Sequence, residues 1–223
     1  MKNDFIFAKK NLFLDKALTE RLLIEFDQIY QENTSENIHA NFLELRKDDI
    51  VRIPLFLSLL NKIQKKFELI TGYNDLSFEK LWLVNSLSND KNKFSLPYIP
   101  HIDKNRYFKA MVYLHDVSLN HGPIHIGQVK STTNIEQIRK KLPSDYKEKG
   151  LNTINDEHLE GGLIPMIGKA GDVVFFDTNT PHKAGIIKDN YYRKVLRFDF
   201  KRPIFNSQPS LFNSLIKSFK KMI

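Results

Sequence analysis

The 223-residue chain contains no cysteine. This absence excludes a disulfide framework and any metal site that is built on thiolates. A metal bound by this protein would have to be held by histidine and carboxylate side chains.

Long apolar runs are also missing, and none approaches the ~20 residues that a bilayer-spanning helix needs. The longest run, residues 53–60, is interrupted by Ser58. The start of the chain lacks the continuous apolar core of a secretory signal. These features predict a cytoplasmic protein without a membrane span.

The formal net charge is +8, which could indicate an anionic partner. The lysines are nevertheless scattered among acidic residues, and no basic cluster is interleaved with aromatic residues. We therefore expect a solvated, lysine-rich surface and no nucleic-acid partner.

Aromatic residues are plentiful, with 17 Phe and 8 Tyr, as is typical of a β-rich core. The hydrophobic fraction of 41% and the charged fraction of 27% indicate a globular protein. The length suits one domain with a substantial core, so we assign residues 1–223 to a single domain.

Two amphipathic helices are predicted within residues 1–80, which we interpret as a helical N-terminal brace. Asp15 can cap the first helix, which should run to about Tyr30. The second should begin near Pro54 and end at Gly72, because proline suits a first helical turn and glycine suits a C-terminal stop.

Residues 81–202 alternate short strand patterns with turns that contain Gly, Pro or Asn, and this order favours two facing sheets of a jelly roll. The fold class is therefore mainly β with flanking helices (α+β). A charged stretch at 133–150 should contain a short helix at most and could be a lid. Residues 203–223 include an amphipathic helix that we expect to dock on the domain, with a membrane-surface or partner helix as the alternative.

The predicted strands are 97–103, 107–114, 124–126, 161–168, 173–176 and a final hairpin of 182–187 with 192–200, besides 81–87 and a short one within 5–14. Polar loops are predicted at 31–40 and 88–96.

The triplet His101-Ile-Asp103 is the first candidate for a metal site. On an extended chain, residues two apart point to the same side, so the imidazole and the carboxylate can reach one point. A second histidine, His182, follows a buried-looking strand. Two histidines and one carboxylate on one face of the metal are the ligand set of non-heme Fe(II) oxygenases.

Four motifs resemble the phytanoyl-CoA dioxygenase family: H-I-D at 101–103, N-H-G-P-I at 120–124, K-A-G-D-V-V-F-F-D at 169–177 and P-H-K-A-G at 181–185. The resemblance covers about residues 80–202 and implies a cupin-like double-stranded β-helix. It also implies Fe(II), 2-oxoglutarate and O2 as cofactor and cosubstrates.

By this resemblance, His101, Asp103 and His182 are the metal ligands and the catalytic residues. Arg193 is expected to bind the far carboxylate of 2-oxoglutarate, for which a guanidinium is well suited.

Three further residues are weaker candidates. The resemblance implies a cosubstrate contact on the strand after H-I-D, where Lys109 is the nearest candidate. Asn85, on the strand before the metal segment, is another candidate for such a contact. Arg197 shares strand parity with Arg193 and could touch substrate. Two departures from the family pattern, Gly127–Lys130 and Ala184, concern the substrate side and leave the three expected ligands intact.

The sequence therefore predicts an Fe(II)/2-oxoglutarate-dependent dioxygenase that hydroxylates a small-molecule metabolite and releases succinate and CO2. One alternative is a hydroxylase or demethylase of the same superfamily that acts on protein or nucleic acid. Another is a cupin-like metal-binding or sensor protein without oxygenase activity, which would release no succinate.

Overall fold

The computed structural model describes residues 8–33, 42–88, 96–130, 133–147 and 149–202. The predicted C-terminal helix and most of the predicted loops at 31–40 and 88–96 lie outside these ranges. The helices are α1 (Lys16–Glu32), α2 (Lys47–Ile50), α3 (Pro54–Thr71) and α4 (Ile135–Lys140). The strands are β1 (Ala8–Phe13), β2 (Phe42–Leu45), β3 (Ser77–Leu87), β4 (Phe108–Tyr113), β5 (His125–Val129), β6 (Leu159–Pro165), β7 (Asp172–Asp177), β8 (His182–Lys183) and β9 (Tyr192–Lys201).

The two long helices begin and end where the sequence predicts. The Asp15 side chain accepts a hydrogen bond from the Leu18 amide at 2.8 Å and so caps α1. Pro54 occupies the first turn of α3, and Gly72 ends it in the left-handed region at φ 72°. None of the helices in the described ranges is long and apolar enough to cross a membrane.

Two antiparallel sheets form the body of the protein, as the predicted fold class requires. Six strands make the larger sheet in the order β1-β7-β4-β9-β3-β2. Three strands make the smaller one in the order β6-β5-β8. Strands that are distant in sequence are neighbours in both sheets, which is the topology of a jelly roll.

Both faces of the larger sheet are buried. Successive side chains of β9 point alternately to one face and to the other. Leu196, Phe198 and Phe200 belong to the core that the sheet shares with α1 and α3. Val195 points the other way and packs in a second core that includes Ile124 and Ile126, next to and on β5. The site residues on β9 share the parity of Val195, so they face the interior between the two sheets.

Two strand predictions were wrong in detail. Residues 97–103 do not form a strand; His101 makes isolated bridges within an irregular segment. β8 is only two residues long and pairs with β5 rather than forming a hairpin with β9. β9 instead pairs with β3 and β4. In addition, β2 and α2 were not predicted.

Phe67 connects α3 to the larger sheet through edge-on ring contacts. Its ring centroid lies 4.8 Å from that of Phe175 and 5.2 Å from that of Phe200. We predict that Phe67→Ala lowers the free energy of unfolding by about 3–5 kcal/mol, because it leaves a cavity in the core. Urea denaturation measures this change.

Leu69→Ala is the matched control, since Leu69 lies on the same helix and is 74% exposed. It should change stability by less than about 0.5 kcal/mol, as is usual for surface positions. Equal losses in the two variants would contradict this description of the core.

Candidate active site

The structure brings together the three side chains of the predicted triad. The ligand atoms that His101, Asp103 and His182 can offer all lie within 4.8 Å of one another. Both histidines are buried, with 8% and 6% of their surfaces exposed. This is the only group of three or more His, Asp or Glu residues within metal-binding distance in the described part of the chain.

Two backbone hydrogen bonds set the spacing of the imidazoles. The His101 amide donates to the His182 carbonyl at 3.0 Å, and the His182 amide donates back to the His101 carbonyl at 3.0 Å. This reciprocal bridge makes the two residues direct cross-strand neighbours. Their ring centroids are consequently only 4.6 Å apart.

Each imidazole is also fixed by the carbonyl group two residues before it. The Nδ1 atom of His101 lies 2.9 Å from the Ile99 oxygen, and that of His182 lies 3.0 Å from the Thr180 oxygen. A carbonyl can only accept, so Nδ1 carries the proton in both rings and Nε2 is left with its lone pair. Such a partner orients an imidazole for metal binding.

The sequence could not identify these partners, because a backbone carbonyl has no residue-specific signature. Only the local geometry around residues 99–101 and 180–182 identifies these carbonyl groups as the acceptors.

Asp103 is held by a lysine. Its Oδ2 accepts a hydrogen bond from Lys109 Nζ at 2.6 Å, while its Oδ1 lies 3.9 Å from His182 Nε2. Burial alone would raise the pKa of the Asp103 carboxyl, but the Lys109 ammonium and the His182 imidazole outweigh burial and lower it. Asp103 is therefore an ionised acceptor with one oxygen directed toward the histidines.

In contrast to Asp103, the two histidines favour their uncharged form. Burial disfavours the imidazolium form, so it lowers the pKa of His101 and lowers that of His182 to about 3. Both rings are therefore neutral at physiological pH, which is the form that binds a metal ion.

Arg193 lies in the interior and has no charge partner within the described ranges. It is 6% exposed, and its Nε and Nη1 atoms are buried and make no hydrogen bond to any described residue. Burial lowers the pKa of its guanidinium, and the polar groups that oppose this most are the hydroxyls of Tyr113 and Tyr98. A buried, unpaired guanidinium is costly, so this position favours the binding of an anion.

Arg197 faces the same interior as Arg193, but its guanidinium is already engaged. Its Nε and Nη2 atoms donate to the Asp199 carboxylate at 3.0 Å each, and the group stacks over Trp82. Contact between Arg197 and the substrate stays a prediction. The ion pair with Asp199 leaves fewer N–H groups of Arg197 for a substrate.

Asn85 does not face the triad. Its backbone partner on β9 is Lys194, whose Nζ binds Asp27 of α1. Asn85 also has the parity of Leu81 and Leu83, which pack against the helices. The strand register thus places Asn85 on the opposite face from Arg193, so it does not support the predicted cosubstrate contact, which stays a prediction.

Comparison with protein families gives one match, to the model described as phytanoyl-CoA dioxygenase, over residues 86–195. This range contains every residue of the triad together with Arg193. No match is found among curated protein sequences.

Several solved structures have a similar fold, and three of them are described here. The epimerase SnoN, solved with Fe3+, alpha ketoglutarate and nogalamycin RO, is 18% identical, with a TM-score of 0.57 over 89% of this chain and 83% of that one. The carbocyclase SnoK from nogalamycin biosynthesis is 14% identical, with a TM-score of 0.53 over 90% and 83%. AviO1 from Streptomyces viridochromogenes Tue57 is 12% identical, with a TM-score of 0.55 over 92% and 94%. At these identities the likeness concerns the fold.

The lowered pKa of His182 makes the stability of the metal-free protein depend on pH. Above pH 6.5 both the folded and the unfolded His182 are neutral, so this residue makes no pH-dependent contribution. Below pH 6.5 the unfolded chain takes up a proton that the folded one does not, until the pH reaches about 3. We predict that stability falls by about 1.4 kcal/mol per pH unit in this window from His182.

The measurement is urea unfolding between pH 7 and 4.5, for the wild type and for His182→Gln, which cannot titrate. The variant should show the shallower dependence on pH. Identical slopes would mean that His182 is not buried in its neutral form.

Proposed function

Because the phytanoyl-CoA dioxygenase model matches residues 86–195, we propose that this chain belongs to that family and is an Fe(II)- and 2-oxoglutarate-dependent oxygenase. Its substrate is a small molecule, which the enzyme hydroxylates. The single observation that carries this proposal is the convergence of two neutral imidazoles and a carboxylate, with a buried guanidinium that faces the same interior and has no hydrogen bond from Nε or Nη1 to any described residue.

The donor set fits ferrous iron. His101, Asp103 and His182 supply two nitrogen ligands and one oxygen ligand, which leaves the remaining coordination positions open. A closed structural zinc site would instead use four protein ligands, commonly including cysteine. The orientation of both Nε2 atoms by backbone carbonyls fits the same assignment.

The surroundings fit a dicarboxylate cosubstrate. Arg193 offers unsatisfied N–H donors on Nε and Nη1 in the interior, and a planar guanidinium is well suited to pair with a carboxylate. The bound anion would also neutralise the buried charge. When bound, iron and 2-oxoglutarate supply the activation of O2, with succinate and CO2 as coproducts.

The protein's part is to bind, orient and exclude water. Lys109 holds Oδ2 of Asp103 and so directs Oδ1 toward the metal position. Phe176, with its ring 5.3 Å from that of His182, belongs to the apolar interior core that shields the site from solvent. A contact of Lys109 with the cosubstrate remains part of the proposal.

A small-molecule substrate is supported by the similar fold of SnoN, whose structure contains nogalamycin RO. Structures of this fold also include an epimerase and a carbocyclase, so hydroxylation is the part of the proposal that product analysis must test.

The ligand assignment predicts the loss of both metal binding and turnover. His101→Ala, Asp103→Ala and His182→Ala should each abolish detectable Fe(II) binding and succinate release, because each removes one of three ligands. Anaerobic calorimetry measures binding, and succinate is quantified in the presence of 2-oxoglutarate and O2.

His158→Ala is the control, because His158 is a partly exposed histidine outside the triad that has the same kind of spacing to an acid, in the triplet His158-Leu-Glu160. It should bind metal and release succinate like the wild type. Wild-type levels of both in any of the three ligand variants would refute the assignment. Metal binding without succinate in the wild type would favour a sensor.

If Arg193 binds the cosubstrate carboxylate, its replacement should weaken cosubstrate binding without destabilising the protein. Arg193→Met should raise the KM for 2-oxoglutarate by about 10- to 100-fold, since it removes charge-assisted hydrogen bonds worth about 1.5–3 kcal/mol. It should not lower the stability of the cosubstrate-free protein, because it also removes an unpaired buried charge.

Steady-state kinetics and urea unfolding test the two effects, with Arg21→Met on the exposed surface of α1 as the control. An unchanged KM for Arg193→Met would move the carboxylate-binding role to another residue.

A further inference from the structure

Helix α4 lies in the long connection between β5 and β6 and has no place in the triad itself. Its residue Arg139 is nevertheless buried, with 8% of its surface exposed. The Arg139 Nε donates to the Asp103 carbonyl at 2.9 Å, and its Nη2 donates to the Thr178 carbonyl at 3.3 Å. One side chain therefore joins the two segments that carry the proposed ligands.

Glu136, one turn earlier on α4, completes the connection. Its Oε1 accepts from Arg139 Nη1 at 2.9 Å and from Asn179 Nδ2 at 2.9 Å. The same oxygen lies 3.6 Å from Nη1 of Arg106, which is paired with Asp177. Two guanidinium groups and two carboxylates thus balance one another beneath the site.

The segments that Glu136 and Arg139 contact are those that position the proposed ligands Asp103 and His182. The turn 177–180 leads directly into His182, and its Thr180 carbonyl fixes the imidazole of that residue. On the other side, the bond from Arg139 reaches the backbone of a proposed ligand rather than its side chain. Movement of either segment would change the distance between Asp103 and His182.

Apolar packing reinforces the same link. Ile102, which lies between the two ligands of the H-I-D triplet, is fully buried and packs in a small cluster with Ile135 of α4. The helix is started by Asn134, whose side chain accepts from the Gln137 amide at 3.0 Å. α4 therefore contacts the triplet through both an apolar and a charged residue.

We propose that Glu136 and Arg139 form a clasp that sets the separation of the two ligand-bearing segments, so that metal affinity depends on a helix outside the triad. They are positioning residues, since neither reaches the metal. This inference rests on the proposed function, because it takes Asp103 and His182 to be metal ligands. Residues that orient metal ligands typically change affinity or activity by about 10- to 100-fold when they are replaced.

The first measurement is anaerobic Fe(II) or Co(II) binding by calorimetry. Arg139→Met, which keeps the aliphatic stem, should weaken binding by about 10- to 100-fold with an unchanged circular dichroism spectrum. Glu136→Gln should weaken it less, since the amide oxygen can still accept. Lys140→Met, an exposed change on the same helix, should bind like the wild type. Wild-type affinity in a folded Arg139→Met variant would overturn the proposal.

The second measurement is hydrogen exchange in the metal-free protein. The amides of His101 and His182 donate to each other's carbonyls, so their exchange reports directly on the separation of the two segments. Both should exchange at least about 10-fold faster in Arg139→Met and be unaffected in Lys140→Met. If Arg139→Met merely lowered global stability, the exchange of the core amides of β4 and β7 would be accelerated by as much as that of His101 and His182.

The two measurements separate the failure of this inference from the failure of the proposed function. Absence of metal binding in the wild type would refute the oxygenase assignment, whatever the exchange data show. Unchanged exchange at His101 and His182 in Arg139→Met would refute the clasp, whether or not the wild type binds metal. Where Arg139→Met does not fold, Arg139→Lys is measured in the same way, and wild-type values in it and in Glu136→Gln overturn the proposal.

Discussion

The reciprocal pair of hydrogen bonds between the backbones of His101 and His182 is the constraint on which the site depends. It joins an irregular segment to β8, a strand of only two residues whose other edge pairs with β5. Because Nδ1 of each ring is held by a carbonyl two residues earlier, this pairing determines where both Nε2 atoms point. Asp103 then completes the group from the same segment.

Charge is distributed around this pair in two different ways. Beneath it, the guanidinium groups of Arg106 and Arg139 are matched by the carboxylates of Glu136 and Asp177, as buried charges generally require. In the interior between the two sheets, Arg193 has no such match among the described residues. The contrast supports a structural role for the first group and an anion-binding role for the second.

Local signals predicted the parts of the fold that are locally determined. Asp15, Pro54 and Gly72 mark helix ends because caps act within one turn, and the structure has the helices where they indicate. The predicted hairpin of β8 with β9 failed because strand pairing depends on distant partners: β8 pairs with β5. Asn85 was a candidate only through its place on the strand before the metal segment, and the face it occupies became known only from its pairing with Lys194.

The triad was recognisable from residue types and order, although the reasoning from an extended strand was wrong, since residues 97–103 are irregular. The clasp on α4 carried no such signal, because its key contact is to the Asp103 carbonyl.

The most direct test of the account is an anaerobic crystal structure with Fe(II) and 2-oxoglutarate. We predict an anomalous iron peak bound by both Nε2 atoms and Asp103 Oδ1, with the far carboxylate of 2-oxoglutarate on Arg193. A metal bound elsewhere, or a carboxylate that leaves Arg193 unpaired, would contradict it.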